Sequence, residues 1–155
     1  MSPASDPRRT AGVLGVGATG ARAARQLSSA DGIDSVVLAA HGERPLALQR
    51  SLGSAARIGE PIAADVGVVV LAGPVGTHLE AARRAIDLGV DVVSTSDSIA
   101  DVEGLLALDG RARAAGVRVV VGAGFSPGLS CVLARHLADW VDEVDEIHLS
   151  RFGTG

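Results

Sequence analysis

The sequence predicts an α/β fold in which a doubly wound parallel sheet lies between two layers of helices, a three-layer αβα arrangement. Short runs rich in valine, leucine and alanine alternate along the chain with segments of helical period, which is typical of successive βαβ units. Gly32, Gly89 and Gly116 each stand just before an apolar run, where a glycine in the left-handed conformation can end a helix. The same composition, with 47% hydrophobic but only 2% aromatic residues, suits a parallel sheet buried on both faces.

The apolar runs predict six strands followed by a strand-like final segment. The strands are expected at 11–15, 35–40, 55–58, 66–72, 90–95 and 117–121, and the final segment at 144–152. Residues 1–9 mix Ser, Pro, Asp and Arg without periodicity, and we expect them to form a flexible arm. The predicted organisation is therefore this arm, a sheet domain over 10–142, and the start of a second, truncated domain over 143–155.

Apolar residues at helical spacing predict three helices in the second half of the chain. One continuous helix is expected over 101–115, and another through 79–86, whose outer face would carry Glu80 and Arg84 as an ion pair four residues apart. Ser126 and Pro127 are expected to start the last helix as its N-cap and first residue, and Thr77 with Glu80 fits a capping box. The buried stripe of the last helix would consist of Leu129, Val132, Leu133, Leu137 and Trp140.

Composition and charge exclude several kinds of function. A net charge of −4 with scattered arginines gives no basic stripe for a nucleic-acid backbone, and no apolar run approaches the ~20 residues that span a bilayer. All 14 basic residues are arginine, so no lysine of this chain can form a Schiff base. The single Cys131 is expected to be a small core residue, and the four histidines show no metal-ligand spacing. We expect a cytoplasmic protein without a metal, a nucleic-acid partner or a membrane partner.

A glycine-rich turn follows the first predicted strand and precedes a helical segment. Its glycines are Gly15, Gly17 and Gly20, in the spacing G-x-G-x-x-G. In a βαβ unit the first glycine permits the tight turn, the second lets a pyrophosphate approach the backbone, and the third lets the helix pack closely on the strand. The helix N-terminus, at Ala18 and Thr19, would offer amide groups to the phosphates. This indicates a Rossmann-type dinucleotide site; a turn that only packs is the alternative.

The end of the second strand bears on the choice of cofactor. An NAD site usually places an acidic residue there for the ribose hydroxyls, but this chain has Ala40 followed by His41. His41 and Arg44 would suit the 2′-phosphate of NADP, whereas Glu43 could still reach a ribose. NADP is therefore the predicted cofactor and NAD remains open, with an ordinary surface loop as the alternative.

Small and polar residues collect after the later strands, where the crevice of an open parallel sheet lies. His78 could contact cofactor or substrate there, and a neutral, partly buried role is equally plausible. Asp97 is the one acid in these loops that we select for substrate contact or proton transfer, with helix capping as the alternative. The remaining expected cofactor contacts are Ala72, Gly73, Pro74, Thr95 and Ser96.

The chain resembles the NAD(P)-binding N-terminal domain of saccharopine dehydrogenase-like oxidoreductases. The resemblance lies in residues 15–20, in residues 78–98 with the run 92–97 near their end, and above all in residues 121–129, which resemble that family's G-x-x-P-G-L segment. It implies hydride transfer to or from the C–N bond of a small amino or imino acid. The chain departs from the family at Ala40-His41, where relatives commonly have Asp-Arg. Relatives also continue into a sheet-rich substrate domain, of which 144–152 would be the first strand.

Three functions follow from this pattern. The first is an NAD(P)-dependent oxidoreductase, or its cofactor-binding half, acting on an amino-acid-like substrate. The second is a module that binds or senses a dinucleotide without catalysis, and the third is a homodimer scaffold that covers an exposed final strand. A sugar-oxidising Rossmann family with Glu-Lys-Pro after its fifth strand does not fit, because 94–97 contains no lysine.

Overall fold

A computed structural model describes residues 9–150 and shows one all-parallel sheet of six strands. The spatial order of the strands is β3-β2-β1-β4-β5-β6, which confirms the doubly wound α/β arrangement. The order reverses between β1 and β4, and ligands of such sheets bind beyond the carboxyl ends of the strands at this switch point. The strands are β1 (Thr10–Leu14), β2 (Ser35–Ala39), β3 (Ala56–Ile58), β4 (Val68–Leu71), β5 (Asp91–Ser94) and β6 (Val119–Val120).

Six α-helices connect or follow these strands within the described residues. They are α1 (Ala18–Leu27), α2 (Arg44–Leu52), α3 (His78–Asp87), α4 (Ile99–Leu106), α5 (Asp109–Ala115) and α6 (Leu129–Ala138). A 3₁₀ turn, Gly53–Ala55, lies between α2 and β3. Gly89 and Gly116 adopt positive φ angles of 73° and 66° after α3 and α5, which confirms them as helix-ending glycines. Gly32 also has a positive φ, of 88°, but it lies in the turn beyond the end of α1.

The sheet separates two apolar cores. Val36 and Leu38 face the core shared with α1 and α2, while Val37 between them faces the core shared with α3, α4 and α5. Because side chains alternate along a strand, a strand buried on both faces is apolar throughout. This explains why the predicted strands are continuous runs of valine and leucine.

The single helix predicted over 101–115 is wrong. The chain forms α4 and α5 with a break at Ala107 and Leu108, where the amide of Leu108 donates to Leu105 only three residues earlier. That tighter turn keeps Leu105, Leu108 and Ala112 in the core, so the apolar spacing was satisfied by two short helices.

The predicted ion pair between Glu80 and Arg84 is also wrong. Glu80 pairs with Arg83 at 3.8 Å, and Arg84 reaches Glu60 at 3.5 Å in the loop after β3. The Thr77 hydroxyl donates to the Pro74 carbonyl at 2.7 Å and does not cap α3.

The last part of the described chain differs most from expectation. Helix α6 begins at Leu129, two residues after Pro127, and ends before Trp140. Its expected core stripe is exposed, with Val132 at 66% and Trp140 at 74%, because α6 buries only Ser130. Cys131 is exposed as well, so its predicted core position is wrong.

The strand predicted at 144–152 does not form over 144–150, because no described strand lies beside it to share hydrogen bonds. Residues 151 and 152, like residues 1–8 of the predicted arm, lie outside the described residues. Arg9 donates two 2.6 Å hydrogen bonds to the Asp34 carboxylate. None of the helices in residues 9–150 is long and apolar enough to cross a membrane.

Candidate dinucleotide-binding site

The first and third glycines of the glycine-rich turn are required by packing. Gly15 has a φ of +97°, and a Cβ added to it would lie 2.5 Å from the carbonyl of Ala72. Its amide donates to the carbonyl of Ala39 at 2.8 Å, so the turn lies between the ends of β2 and β4. A Cβ on Gly20 would lie 1.8 Å from the Gly15 carbonyl oxygen, because α1 lies directly against the turn.

Gly17 is different, because its surroundings are open. It has an ordinary backbone conformation, with φ −78° and ψ −165°, and a Cβ added to it would meet no heavy atom within 4 Å. Gly17 is also the N-cap of α1, and the first turn of that helix, which includes Ala18 and Thr19, holds no acidic residue. The first amides of a helix have no acceptor within it, so this open space adjoins N–H donors and the positive end of a helix dipole. The arrangement suits a phosphate group.

A cleft of about 700 Å³ opens at the carboxyl ends of β1, β2 and β4. This position is the switch point of the sheet, and the volume lies in the range of small-ligand sites, about 300–1,000 Å³. The cleft is lined by Leu14, Gly15, Val16, Gly17, Ala39, Ala40, His41, Arg44, Ala72, Gly73, Pro74 and Thr77. The fold therefore brings together most of the residues that the sequence selects, from three separate loops.

Arg44 also lines a second groove, of about 490 Å³, between α1 and α2. Arg25 lines the same groove; it follows Ala18 and Ala21 at helical spacing on one side of α1. Sequence reasoning missed Arg25, although its position two turns after Ala18 would have placed it on that side. Neither arginine forms an ion pair with another of residues 9–150. Nη1 of Arg25 donates to the Ala21 carbonyl at 3.3 Å, which leaves its other N–H groups for an anion.

His78 lies behind the cleft wall rather than in it. The side chain is 2% exposed, and its Nε2 lies 3.1 Å from the carbonyl oxygen of Gly73. Because a carbonyl can only accept, Nε2 carries a proton, and Nδ1 lies 2.8 Å from the Ser94 hydroxyl. Of the two interpretations open for His78, the structure supports the buried one.

Asp101, at the start of α4, is a buried carboxylate that was not among the site residues selected from the sequence. It accepts from the Gly76 amide at 2.9 Å and from the Ser96 hydroxyl at 2.7 Å. Burial raises the pKa of Asp101, but these two hydrogen bonds and the nearby His78 outweigh it, so the pKa lies below its ordinary value. The signal in the sequence was an acid in the first turn after a serine-rich segment.

The three residues predicted after β5 do not line the cleft. The Thr95 hydroxyl donates to the Leu71 carbonyl at 3.1 Å, Ser96 is buried, and Asp97 is half-buried. The loop before α6 lies against them, since a Cβ on Gly124 would be 2.5 Å from the Thr95 carbonyl oxygen. In residues 9–150 no group of three or more His, Cys, Asp or Glu side chains could hold a metal ion.

Comparison with known proteins identifies the type of domain through structure rather than sequence. No known family profile and no curated protein sequence matches the chain. Saccharopine dehydrogenase from Saccharomyces cerevisiae is 25% identical, with a TM-score of 0.70 over 86% of this chain and 31% of that one. GenD2 from gentamicin A biosynthesis, solved in complex with NAD, is 25% identical, with a TM-score of 0.67 over 88% and 40% of the two chains.

A third structure, an oxidoreductase from Klebsiella pneumoniae, is 25% identical, with a TM-score of 0.64 over 84% of this chain and 38% of that one. The chain thus spans between 31% and 40% of the length of these three structures. A UDP-N-acetylglucosamine 3-dehydrogenase from Acidithiobacillus ferrooxidans, 24% identical, shares the fold with a TM-score of 0.59. The resemblance seen in the sequence is confirmed at the level of the domain: the chain forms a Rossmann-type domain similar to those of saccharopine dehydrogenase and other oxidoreductases of known structure.

Proposed function

We propose that this chain binds NAD(P) in the cleft at the switch point and acts as the cofactor-binding half of an oxidoreductase. The observation that carries the proposal is the contrast within the glycine-rich turn. Gly15 and Gly20 are fixed by packing, whereas Gly17 leaves open space beside the N-terminal amides of α1. The pyrophosphate would bind at Gly17, Ala18, Thr19 and Gly20. Support also comes from similar solved structures that are oxidoreductases, one of them holding NAD.

The proposed cofactor is NADP rather than NAD. The cleft wall at the end of β2 consists of Ala39, Ala40 and His41, which supply no carboxylate for a 2′-hydroxyl. Arg44 lies where the cleft meets the second groove, with Arg25 on the groove's other side. Two exposed arginines outside any ion pair among the described residues favour a phosphate at this junction.

Hydride would pass to or from the C–N bond of a small amino or imino acid. This part of the proposal rests on the family resemblance. From their position in the loop after β5, Thr95 and Ser96 are proposed as cofactor contacts and Asp97 for substrate contact or proton transfer. When bound, the nicotinamide supplies the redox chemistry, and the chain's own residues position it. The same proposal includes a cofactor-binding domain over residues 10–142 and a further domain that binds the substrate.

A dinucleotide-binding module without catalysis is the second candidate function. One observation favours it: the cleft-lining residues include no acid, and Asp97 does not line the cleft. Adding an imino acid and NADPH to the purified chain tests for turnover: oxidation of NADPH faster than in a Gly17→Asp variant would exclude the module without catalysis.

Fluorescence titration with NADPH and with NADH tests the cofactor proposal. A hydrogen bond to a charged group contributes about 1.5–3 kcal/mol, so Arg44→Gln should weaken NADPH binding about tenfold or more and leave NADH unchanged. Arg50→Gln, at the other end of α2 and outside both cavities, is the matched control. Equal affinity of the wild-type chain for the two dinucleotides would refute the NADP preference, and no affinity for either would refute the function.

A further inference from the structure

A closed chain of buried hydrogen bonds joins two loops at the carboxyl edge of the sheet. The β4 loop (residues 72–77) forms one wall of the cleft, and the β5 loop (residues 95–98) carries the predicted catalytic acid. His78 bonds the Gly73 carbonyl and the Ser94 hydroxyl, at 3.1 Å and 2.8 Å. Ser94 accepts from the Ser96 amide at 3.3 Å, and Asp101 joins the Ser96 hydroxyl to the Gly76 amide. These hydrogen bonds form a closed ring because Gly73 and Gly76 belong to the same loop.

The four side chains of this network are withdrawn from solvent. His78, Ser94, Ser96 and Asp101 are each exposed by 5% or less, and no buried side-chain nitrogen or oxygen of the described residues lacks a partner. In such surroundings a broken hydrogen bond leaves a polar group unsatisfied, since water cannot replace the partner. The network therefore favours one arrangement of the two loops.

The hydrogen bonds of the β4 loop also determine what it presents to the cleft. The Gly73 carbonyl is bonded to the buried His78, and the Pro74 carbonyl accepts from the Thr77 hydroxyl at 2.7 Å. With both carbonyls bonded within the protein, the wall at Gly73 and Pro74 is mainly apolar. A wall of this kind can pack against the rings of a dinucleotide without burying an unsatisfied acceptor.

We propose that His78 and Asp101 are positioning residues that hold the β4 loop as a wall of the cleft and couple its occupancy to the β5 loop. The inference rests on the proposed dinucleotide function and deepens it. A cofactor that packs on Gly73 and Pro74 changes the position of the β4 loop. His78 and Asp101 transmit this change to the β5 loop, which carries Asp97. The site thereby communicates with residues that do not line it.

Two substitutions of His78 separate its two hydrogen bonds. In His78→Gln the side-chain amide reaches the position of Nε2 and can still donate to the Gly73 carbonyl. In His78→Asn the shorter amide can only replace Nδ1 beside Ser94, and the Gly73 carbonyl loses its donor. We expect His78→Asn to raise the Kd for NADPH about tenfold, which corresponds to ~1.4 kcal/mol, and His78→Gln to stay within about threefold of wild type.

Val90→Ala is the matched control for lost stability. Val90 is fully buried just before β5, so it lies at the amino ends of the strands, opposite the carboxyl ends that carry the two loops. Removing its methyl groups lowers stability by about 1–3 kcal/mol and should leave the Kd for NADPH unchanged. A Kd for His78→Asn equal to that of wild type would overturn the positioning role.

Coupling between the loops is tested by the amide NMR spectrum. Adding NADPH to the wild-type chain should shift the amide signals of Asp97 and Ser98, which are not proposed to contact the cofactor, as well as those of Gly17 and Ala18. Ser94→Ala removes the link that runs from His78 through Ser94 to Ser96, but it keeps the bond from His78 to Gly73 and the link through Asp101. It should therefore preserve affinity while reducing the shifts at Asp97 and Ser98. Shifts of wild-type size in Ser94→Ala would overturn the coupling through His78. A wild-type chain that binds neither dinucleotide would overturn the proposed function and this inference with it.

Discussion

Replacing Gly17 by aspartate should separate the stability of this domain from its affinity for a dinucleotide. Gly17 is the N-cap of α1 with a φ of −78°, and a Cβ there meets nothing within 4 Å, so the new side chain fits without strain. Aspartate is among the preferred N-cap residues, and its charge is favourable beside the helix dipole. Together these effects should stabilise the fold by about 0.5–1 kcal/mol.

The same carboxylate should exclude the ligand. It would occupy the space proposed for the pyrophosphate and place a negative charge beside it. Two unit charges ~5 Å apart at an effective dielectric constant of about 20 repel by roughly 3 kcal/mol, which weakens binding by more than about a hundredfold. Gly17→Asn has nearly the same size and also caps a helix, but it carries no charge. Comparing the two variants therefore separates electrostatic repulsion from loss of space.

Thermal unfolding and fluorescence titration with NADPH give the two quantities to compare. The expected result is a melting temperature equal to or above that of wild type for Gly17→Asp, with NADPH binding lost and Gly17→Asn intermediate in affinity. Wild-type affinity in Gly17→Asp would show that the pyrophosphate does not bind at this turn. A lower melting temperature would show that Gly17, like its neighbours, is needed for packing.

Three further predictions concern stability. Gly20→Ala should destabilise the domain by about 3 kcal/mol or more in urea unfolding, because the new Cβ would lie 1.8 Å from the Gly15 carbonyl oxygen; a small change would contradict the close packing of α1. Gly116→Ala should cost only about 1–2 kcal/mol, since its surroundings are open and only its positive φ is unfavourable, and a cost near zero would mean that the helix end adapts. Asp101→Asn should lower the stability of the domain most above pH 5. The folded pKa of Asp101 lies below the ordinary value of about 3.9, so its contribution is complete above that value and is lost as the pH falls through the folded pKa. The difference in unfolding free energy between Asp101→Asn and wild type should shrink towards pH 2. A difference that does not change with pH would refute this role of the ionised Asp101 carboxylate.

The sheet was predictable because its signals are local and redundant. Each strand is an apolar run, since both faces of a parallel strand are buried, and the turns after α3 and α5 need glycine at Gly89 and Gly116. Those features depend on the residues within one βαβ unit. They specify strand order indirectly, because short right-handed crossovers leave few ways to arrange parallel strands.

The spacing of apolar residues did not predict the structure correctly where helix ends and burial depend on distant partners. The stripe through Leu105, Leu108 and Ala112 was buried as expected, but a tight turn at Leu108 divided the helix without disturbing the spacing. In α6 the spacing is equally regular, yet Val132 and Leu137 are exposed at the surface of the described chain. Periodicity shows that a helix has an apolar face and does not show which surface covers that face.

The candidate site shows the same division between local and distant information. The motif predicts different roles for Gly15, Gly17 and Gly20, and in the structure the two outer glycines are fixed by atoms of the protein while only the middle one leaves space for a ligand. A variant at either outer position would lose binding by losing the fold, and would therefore say nothing about the ligand. The network of His78 and Asp101 could not be read from the sequence, because its members come from different βαβ units and meet only once the sheet has formed. The motif therefore identifies the class of fold, whereas Gly17 and the buried network are the places where function can be tested separately from stability.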